Sequence, residues 1–267
     1  MKKTMIALAV AASAVVSGSA LAASSWAPGD FNGFFEMAGQ LTPPTQTNNP
    51  WSVAVGNKVS NLDATLTAGQ KDVTINVTSP ISILGIRPTE NKMFVGQGGI
   101  TPQISYGDAV DLNSFVGGTG NLTLPVKSGE QTIGTLTAKI YAGGMYAWFK
   151  DYGSGITDGI GYPLYASAAG KAFFGGLGKT EAAVDRDGEN VVAEAIKFFP
   201  DIADTYQSSE GNYGLLGEAD FTDSEYELSG LYASGIQAGE RINIELTDEL
   251  SEATNWTASL PVTVTYM

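Results

Sequence analysis

Carboxylates are the chemically capable side chains that this sequence offers in quantity, with 28 Asp and Glu residues, 14 Lys and Arg residues and a net charge of −14. A pair of carboxylates can catalyse glycoside hydrolysis. Their spacing singles out no such pair, and acidic side chains ordinarily lie on the surface. The chain has no His and no Cys, which excludes Ser-His-Asp triads and nearly all zinc sites. We therefore expect that the protein has no catalytic residues, binds no cofactor and is not an enzyme.

One acidic run, Asp185-Arg-Asp187-Gly-Glu189, is similar to the start of a calcium-binding loop. Such a loop continues with oxygen ligands to a final bidentate Glu, whereas this sequence turns into a helical pattern. Asp187 and Glu189 therefore favour a helix start, where carboxylates accept from free backbone N–H groups and complement the helix dipole. We expect no metal site here.

Four aromatic residues and one cation in the middle of the chain are candidates for sugar binding. They are Trp148, Tyr152, Tyr162, Tyr165 and Lys171. Aromatic faces stack on the C–H groups of a sugar, while a few polar groups bind its hydroxyls. The alternative is that these aromatics pack one segment onto another, which is the simpler interpretation for any single residue.

The first 22 residues have the pattern of a signal peptide. Lys2 and Lys3 precede an apolar stretch from Met5 to Val16, and Ala20-Leu21-Ala22 is a small-x-small cleavage site. The apolar stretch is shorter than the roughly 20 residues that a membrane-spanning helix needs. We therefore expect an exported chain that begins near Ala23. Its negative charge disfavours nucleic acid as a partner.

Short alternating strands dominate the sequence after the signal peptide. The patterns predict strands at residues 51–55, 73–78, 81–86, 100–106, 121–126, 132–141, 225–232, 241–246 and 256–266. Many short strands separated by close turns are typical of a β-sandwich. The pattern changes between about residues 143 and 220, and this region is predicted to form a partly helical insert.

Two helices are predicted in that insert, a short one over 165–174 and a clearer one that starts at Asp187 and ends before Pro200. In the clearer helix, the residues expected on the apolar face are Val192, Ala195, Ile196 and Phe199. Glu194 and Lys197 are expected to lie off that face.

Residues 31–41 form a strand pattern with an unusual apolar face. That face carries Phe31, Gly33, Phe35, Met37, Gly39 and Leu41, whereas Phe34 lies on the opposite face. The following residues 42–50 contain three prolines and separate the strand from the rest of the chain. Such a strand could fill a neighbour's sheet, or it could be the first strand of its own sandwich.

The last predicted strand has apolar residues at alternate positions, Leu260, Val262, Val264 and Tyr266. An apolar strand whose outer edge has no partner is a template for aggregation. An N-terminal strand from a neighbouring subunit would cover that edge, which is donor-strand complementation. Head-to-tail addition of this kind does not close and builds a filament.

Several stretches resemble the FaeG-type subunits of chaperone–usher fimbriae. They are Gly29-Asp-Phe-Asn-Gly33, Gly99-Ile-Thr-Pro-Gln-Ile104, Leu124-Pro-Val-Lys127, Ile140-Tyr-Ala-Gly143, Ala172-Phe-Phe-Gly-Gly-Leu177, Tyr232-Ala-Ser-Gly-Ile236 and the ending Asn255-Trp-Thr-Ala-Ser-Leu-Pro-Val-Thr-Val-Thr-Tyr-Met267. They occur in the same order over essentially the whole mature chain. The resemblance implies an all-β fold, an incomplete immunoglobulin-like sandwich that lacks its final strand. A periplasmic chaperone would lend a strand, and an outer-membrane usher would replace it with the next subunit's N-terminal strand.

The resemblance also implies roles for particular residues. The apolar row of residues 31–41 would be the donor strand, within an N-terminal extension over 23–42. Val262, Val264 and Tyr266 would pair with the chaperone's strand. The sandwich would occupy residues 43–267, and its insert at about 143–220 carries the carbohydrate-binding surface in FaeG itself.

The implied function is that of a structural subunit of a surface fimbria, exported through the periplasm, that contributes to adhesion to a host glycoconjugate. One alternative is a minor subunit that binds no receptor. Another is a self-contained, secreted carbohydrate-active enzyme, which would need residues 31–41 in its own sheet.

Overall fold

The computed structural model describes residues 49–153, 156–208 and 216–267. The strands are β1 (Trp51–Val55), β2 (Asp72–Asn76), β3 (Ile81–Pro88), β4 (Phe94–Val95), β5 (Pro102–Ser105), β6 (Val110–Val116), β7 (Thr119–Ser128), β8 (Gln131–Gly153), β9 (Ile156–Pro163), β10 (Glu227–Ile236), β11 (Arg241–Leu246) and β12 (Thr263–Tyr266). A 3₁₀ turn (Glu181–Ala183) and one helix, α1 (Gly188–Phe198), lie between β9 and β10. The predicted all-β class is confirmed. The predicted signal peptide and N-terminal extension lie outside the described residues.

The 23-residue strand β8 is the centre of the main sheet. Its first half pairs with β7 on one side and β11 on the other. Its second half pairs with β9 and β10. Beyond these neighbours, β3 and then β1 continue the sheet from β10, β2 continues it from β11, and β6 pairs with β7. Every one of these pairs is antiparallel, as expected for a sandwich.

A second, smaller sheet consists of β12 and β5, with Val264 opposite Ile104. The core lies between this pair and the part of the main sheet that contains β7, β11 and the first half of β8. In these strands side chains alternate between buried and exposed. The buried side chains facing the core include Leu122, Leu124, Leu136, Ile242 and Ile244. No helix of the described residues is long and apolar enough to cross a membrane.

Helix α1 covers the opposite face of β8 and β10. Its Val191, Ala195 and Phe198 are buried against Tyr141 and Leu231. Because both faces of these strands are covered, residues 140–147 of β8 and nearly all of β10 are buried.

The predicted apolar face of α1 was wrong by about one residue. Glu194 was expected off that face but is only 7% exposed, while Ile196 is 40% exposed. The carboxylate of Glu194 accepts from Lys197 Nζ and Gln237 Nε2 at 2.5 and 2.9 Å. These partners satisfy a buried charge that the helical pattern alone places in solvent.

The short helix predicted over 165–174 does not form. Gly170, Phe173 and Gly175 have φ angles of 88°, 59° and 85°, and an L-residue helix cannot pass through such left-handed positions. The segment turns repeatedly instead, and it buries Phe173 completely beneath β10 against Tyr232.

Candidate functional site

In the last segment of the chain, residues 256–266, the side chains on the inner face are only partly buried. Its even-numbered residues, Trp256, Ala258, Leu260, Val262, Val264 and Tyr266, pack against the core but are only partly buried. The odd-numbered residues between them are exposed. Thus Val262, Val264 and Tyr266, which the sequence singled out, share one inward-facing row that the described residues leave partly open.

An apolar groove of about 780 Å³ lies beside this segment. One wall is formed by residues 254–260 and 262, and the other by residues 55–60, 62 and 63. In extended form, a wall of this length spans about 30 Å. The floor is built from core side chains of the main sheet, namely Leu122, Leu124, Leu136, Ile236 and Ile242. The site is therefore a long groove rather than a compact pocket.

The exposed valines of β1 extend the apolar surface of this groove. Val53 and Val55 lie opposite Ile86 and Leu84 of β3, so their side chains point to the same face as those two fully buried residues. Yet Val53 and Val55 are 44% and 63% exposed. The inner face of β1 is therefore uncovered where it leads into the groove.

Hydrogen bonds hold the end of the chain against the segment before β5. The backbone N–H groups of Met267 and Thr101 donate to each other's carbonyl oxygens, at 3.1 and 3.0 Å. The Tyr266 hydroxyl is hydrogen-bonded to Asn49, and burial raises the pKa of Tyr266. Asn49, two residues before β1, thus lies next to the end of β12.

The exposed end of the β8–β9 hairpin carries a second candidate, an aromatic cluster of Trp148, Lys150, Tyr152 and Tyr226 with Glu225. Trp148 meets Tyr226 edge to face with ring centroids 5.2 Å apart. Lys150 Nζ lies 4.7 Å from the Tyr226 ring centroid, 5.4 Å from that of Tyr152 and 2.7 Å from Glu225 Oε2. The bond to Glu225 raises the pKa of Lys150. Aromatic faces around a hydrogen-bonding cation can hold a sugar ring.

The structure separates the five residues predicted to bind a sugar. Trp148 and Tyr152 belong to the aromatic cluster. Tyr162 packs on Tyr146 at 5.3 Å, and burial and the nearby charge of Asp220 raise its pKa to about 12. Lys171 Nζ lies 3.8 Å from that same Asp220. Tyr165 is held by its backbone N–H, which donates to the Gly217 carbonyl at 3.0 Å.

Sequence patterns missed Lys150, Glu225 and Tyr226 as members of the aromatic cluster. Lys150 alternates with Trp148 and Tyr152 along β8, which was a usable signal because alternate residues share a face. Glu225 and Tyr226 come from a segment about 75 residues later. Only the pairing of β10 with β8 brings them together.

The acidic run at 185–189 starts a helix. Asp187 Oδ1 accepts from the backbone N–H groups of Glu189 and Asn190. Asp185 Oδ2 accepts from the Tyr141 hydroxyl at 3.1 Å and from Asn190 at 2.5 Å. Helix capping and side-chain hydrogen bonds therefore engage these carboxylates, as the helix-start interpretation predicted.

Comparisons with known proteins agree with these features. The family model described as "Fimbrial, major and minor subunit" matches residues 1–267. The K88 fimbrial protein AB of Escherichia coli is 32% identical over the whole of both chains. The F41 fimbrial protein of Escherichia coli is 29% identical over the whole of both chains, and the K88 minor fimbrial subunit FaeI is 27% identical over 89% of each. The chain therefore belongs to the K88-type family of major and minor fimbrial subunits, and it is a structural subunit of a surface fimbria.

Proposed function

We propose that this subunit polymerises by donor-strand complementation, in which residues 31–41 of one copy fill the apolar groove of another. The observation that carries the proposal is the half-exposed inner row of residues 256–266 beside that groove. An added strand would complete the burial of this row. Burying one Val, Leu or Phe side chain contributes about 1.5–3 kcal/mol, so several such residues would hold subunits together firmly.

The donor row suits a groove with walls on both sides. Its large residues, such as Phe31, Phe35 and Leu41, alternate with the small residues Gly33 and Gly39 in places. Large side chains would fill the spaces above the floor, while glycines allow close approach of the backbone. The main-chain groups of the donor would pair with the groove walls, as in other cases of strand addition.

The proposal includes a periplasmic chaperone and an outer-membrane usher as partners. An open apolar groove on a newly exported subunit is an aggregation hazard. A chaperone strand that pairs along Val262, Val264 and Tyr266 would cover it until the next subunit arrives. The signal-peptide pattern of residues 1–22 supports export through the periplasm.

The test compares two adjacent phenylalanines. Phe35 lies in the donor row and Phe34 on the opposite face of the same strand. The full chain is co-expressed with the matching periplasmic chaperone as wild type, Phe35→Asp or Phe34→Asp. We expect SDS-resistant multimers from wild type and Phe34→Asp and their loss in Phe35→Asp, because only Phe35→Asp would bury a carboxylate in the groove.

A second arm uses the chain without residues 23–42. A peptide of that sequence should stabilise the truncated chain, by about 2.7 kcal/mol at a concentration a hundredfold above its dissociation constant. The Phe35→Asp peptide should not. A full-length chain that is a stable monomer without chaperone, and that unfolds when residues 23–42 are removed, would instead show that the strand belongs to its own sheet.

A second proposed role is adhesion, through the aromatic cluster on the β8–β9 hairpin. The specific observation is that Lys150 lies over the rings of Tyr152 and Tyr226, and that Trp148 packs on Tyr226, which suits a sugar of a host glycoconjugate. The rival is a minor subunit without receptor binding, and the FaeI relative is a minor subunit by name. Glycan binding by intact fimbriae separates the two.

A further inference from the structure

Lys139 and Arg241 are neighbouring cations on the exposed face of the main sheet, on the side away from the core. Ile242 lies opposite Ala138, and Lys139 lies opposite Asn121. The next step of the same register therefore puts Arg241 beside Lys139. Both line a shallow groove of about 610 Å³. We call this exposed face the basic face. Like charges that face each other across strands are destabilising, so a partner of opposite charge would stabilise it.

Neither cation of the basic face forms an ion pair with a described residue, although acids outnumber bases by two to one in the chain. Six other described cations have carboxylate partners within 4.0 Å, namely Arg87, Lys92, Lys150, Lys171, Arg186 and Lys197, whereas Lys58, Lys71, Lys127 and Lys179 have none. Lys139 is instead bonded to the neutral Asn121, at 2.6 Å. Glu240 also lines the shallow groove, so the basic face carries two cations and one carboxylate, a small excess of positive charge on a strongly acidic protein.

The complementary surface is a loop that follows β11, residues 247–252, which we call the acidic loop. It is exposed along its whole length and carries Asp248, Glu249 and Glu252. Within the described part of the chain, none of these three is ion-paired. Between them stands Leu250, which is 37% exposed. The loop therefore presents three free carboxylates around one apolar side chain.

Several other acids, unlike those of the acidic loop, are already engaged. Asp201 pairs with Arg87, Asp220 with Lys171 and Glu225 with Lys150. Asp187 accepts hydrogen bonds at the start of α1. A cationic surface on another copy would therefore meet the acidic loop at less cost than these sites, because no existing bond has to break.

The acidic loop does not serve the basic face of its own chain. Arg241 begins β11 and Glu245 lies near its far end, four residues or about 13 Å away along an extended strand. The loop continues beyond that end. A second copy can bring its acidic loop to this basic face.

We propose that the acidic loop of one subunit docks on the basic face of another within the fimbria, as a contact additional to strand exchange. The carboxylates pair with Lys139 and Arg241. Leu250 packs on the methyl groups of Thr123 and Thr137 and on the aliphatic stems of the two cations. The two surfaces differ, so the contact is heterologous and repeats along a filament. This inference rests on the proposed function, because strand exchange is what would bring several copies together in one filament.

A charge-swap experiment on whole fimbriae tests this contact. The three variants are Lys139→Glu with Arg241→Glu, Glu249→Lys with Glu252→Lys, and all four together. The first readout is the amount of SDS-resistant multimer, which reports strand exchange and should equal that of wild type in all three. The second is helical order and bending in electron micrographs at low salt and at about 0.5 M salt, where the screening length falls below about 5 Å.

We expect each double variant to form looser, more flexible filaments at low salt and the four-fold variant to regain wild-type order. Wild-type filaments should loosen at high salt. Sedimentation of the chaperone-bound subunit gives a measure that needs no filament. An exposed ion pair changes an association constant by about two- to fivefold, so each double variant should weaken self-association and the four-fold variant should restore it.

Equal order in all variants, or no rescue in the four-fold variant, would overturn the contact. Loss of multimers in the double variants alone would assign these charges to strand exchange instead. If the Lys139→Glu and Arg241→Glu variant keeps filament order but loses binding to a sulfated polysaccharide, the basic face serves an anionic glycan rather than a second copy. Absence of multimers in wild type would count against the proposed function, and sedimentation would still decide the contact.

Discussion

The indole Nε1 of Trp51 donates a 2.7 Å hydrogen bond to the carbonyl oxygen of Ile100. Trp51 begins β1 in the main sheet, and Ile100 lies just before β5 in the small sheet. The rings of Phe94 and Phe221 hold the same indole edge to face, at 5.1 and 4.7 Å. The two sheets are therefore joined by a buried contact. In the proposed complementation, an incoming strand would meet walls that are already in place, which would lower the ordering cost of binding.

A charge on the groove wall should block complementation, while a charge one residue away should not. Val262→Asp places a carboxylate in the groove, and Thr263→Asp places one on the exposed face of the same segment. We expect the donor peptide to raise the melting temperature of the Thr263→Asp chain but not that of Val262→Asp. Calorimetry of each truncated chain with and without peptide measures this. Equal peptide responses would show that the wall is not in contact with the donor.

Replacing Gly175 with Ala should lower the free energy of unfolding more than replacing Gly129, although both glycines have a left-handed backbone conformation. At Gly175 a Cβ would lie 1.9 Å from the Ile104 carbonyl oxygen, whereas at Gly129 nothing lies within 4 Å. Both have positive φ, so Ala costs about 1–2 kcal/mol at either position, and the backbone clash adds to this only at Gly175. Urea unfolding of the chaperone-bound subunits compares the two variants. A smaller loss for Gly175→Ala than for Gly129→Ala would contradict this packing.

Stability should fall in alkali because buried tyrosines resist ionisation. Burial raises the pKa of Tyr106 to about 12, and its hydroxyl is hydrogen-bonded to Tyr232 and Ser234. An unfolded Tyr ionises near pH 10. The folded state therefore holds the proton more tightly, and the stabilisation is complete below about pH 10 and lost between about pH 10 and 12, by up to about 1.4 kcal/mol per pH unit for each such group.

The measurement is the free energy of unfolding from pH 7 to pH 12. Tyr106→Phe should be less stable at pH 7, because it leaves the hydroxyls of Tyr232 and Ser234 one partner short. It should also lose less stability per pH unit above pH 10. An unchanged alkaline slope in this variant would show that Tyr106 does not contribute to the loss.

Glycan binding, if it resides in the aromatic cluster, should depend on Trp148 and Tyr152 together. Replacing both with Ala in assembled fimbriae removes two sugar-stacking faces and should abolish binding to an immobilised glycan panel. Val116→Ala is the matched control, because Val116 is 74% exposed on a different strand. Multimer formation should be normal in both variants. Binding that survives the double replacement would place the receptor site elsewhere or favour a minor subunit.

The sequence predicted the strands best where only one face is covered. In β7, β11 and β2 the alternation of apolar and polar residues matches the observed burial. The second half of β8 was not predicted as a strand, because α1 covers its outer face and removes the alternation. The last strand is shorter than predicted, Thr263–Tyr266 rather than 256–266. Its earlier residues keep the alternating burial but, apart from one bridge between Thr257 and Lys127, no described strand pairs with them.

Each candidate site also has a part that the sequence pattern predicts and a part that only the fold reveals. The inward-facing row with Val262, Val264 and Tyr266 follows from local alternation, whereas the groove floor at Leu136 and Ile236 requires the three-dimensional arrangement. The sequence predicted only two members of the aromatic cluster, Trp148 and Tyr152. Trp148 and Tyr152 share a strand, but their contact with Tyr226 depends on a strand pairing between distant segments.

The length of β8 has a mechanical consequence for a filament. This single strand runs through both halves of the main sheet and is flanked by β7 and β9 on one edge and by β11 and β10 on the other. Tension directed along it loads the interstrand bonds on both edges in shear, so that many share the force at once instead of opening one after another.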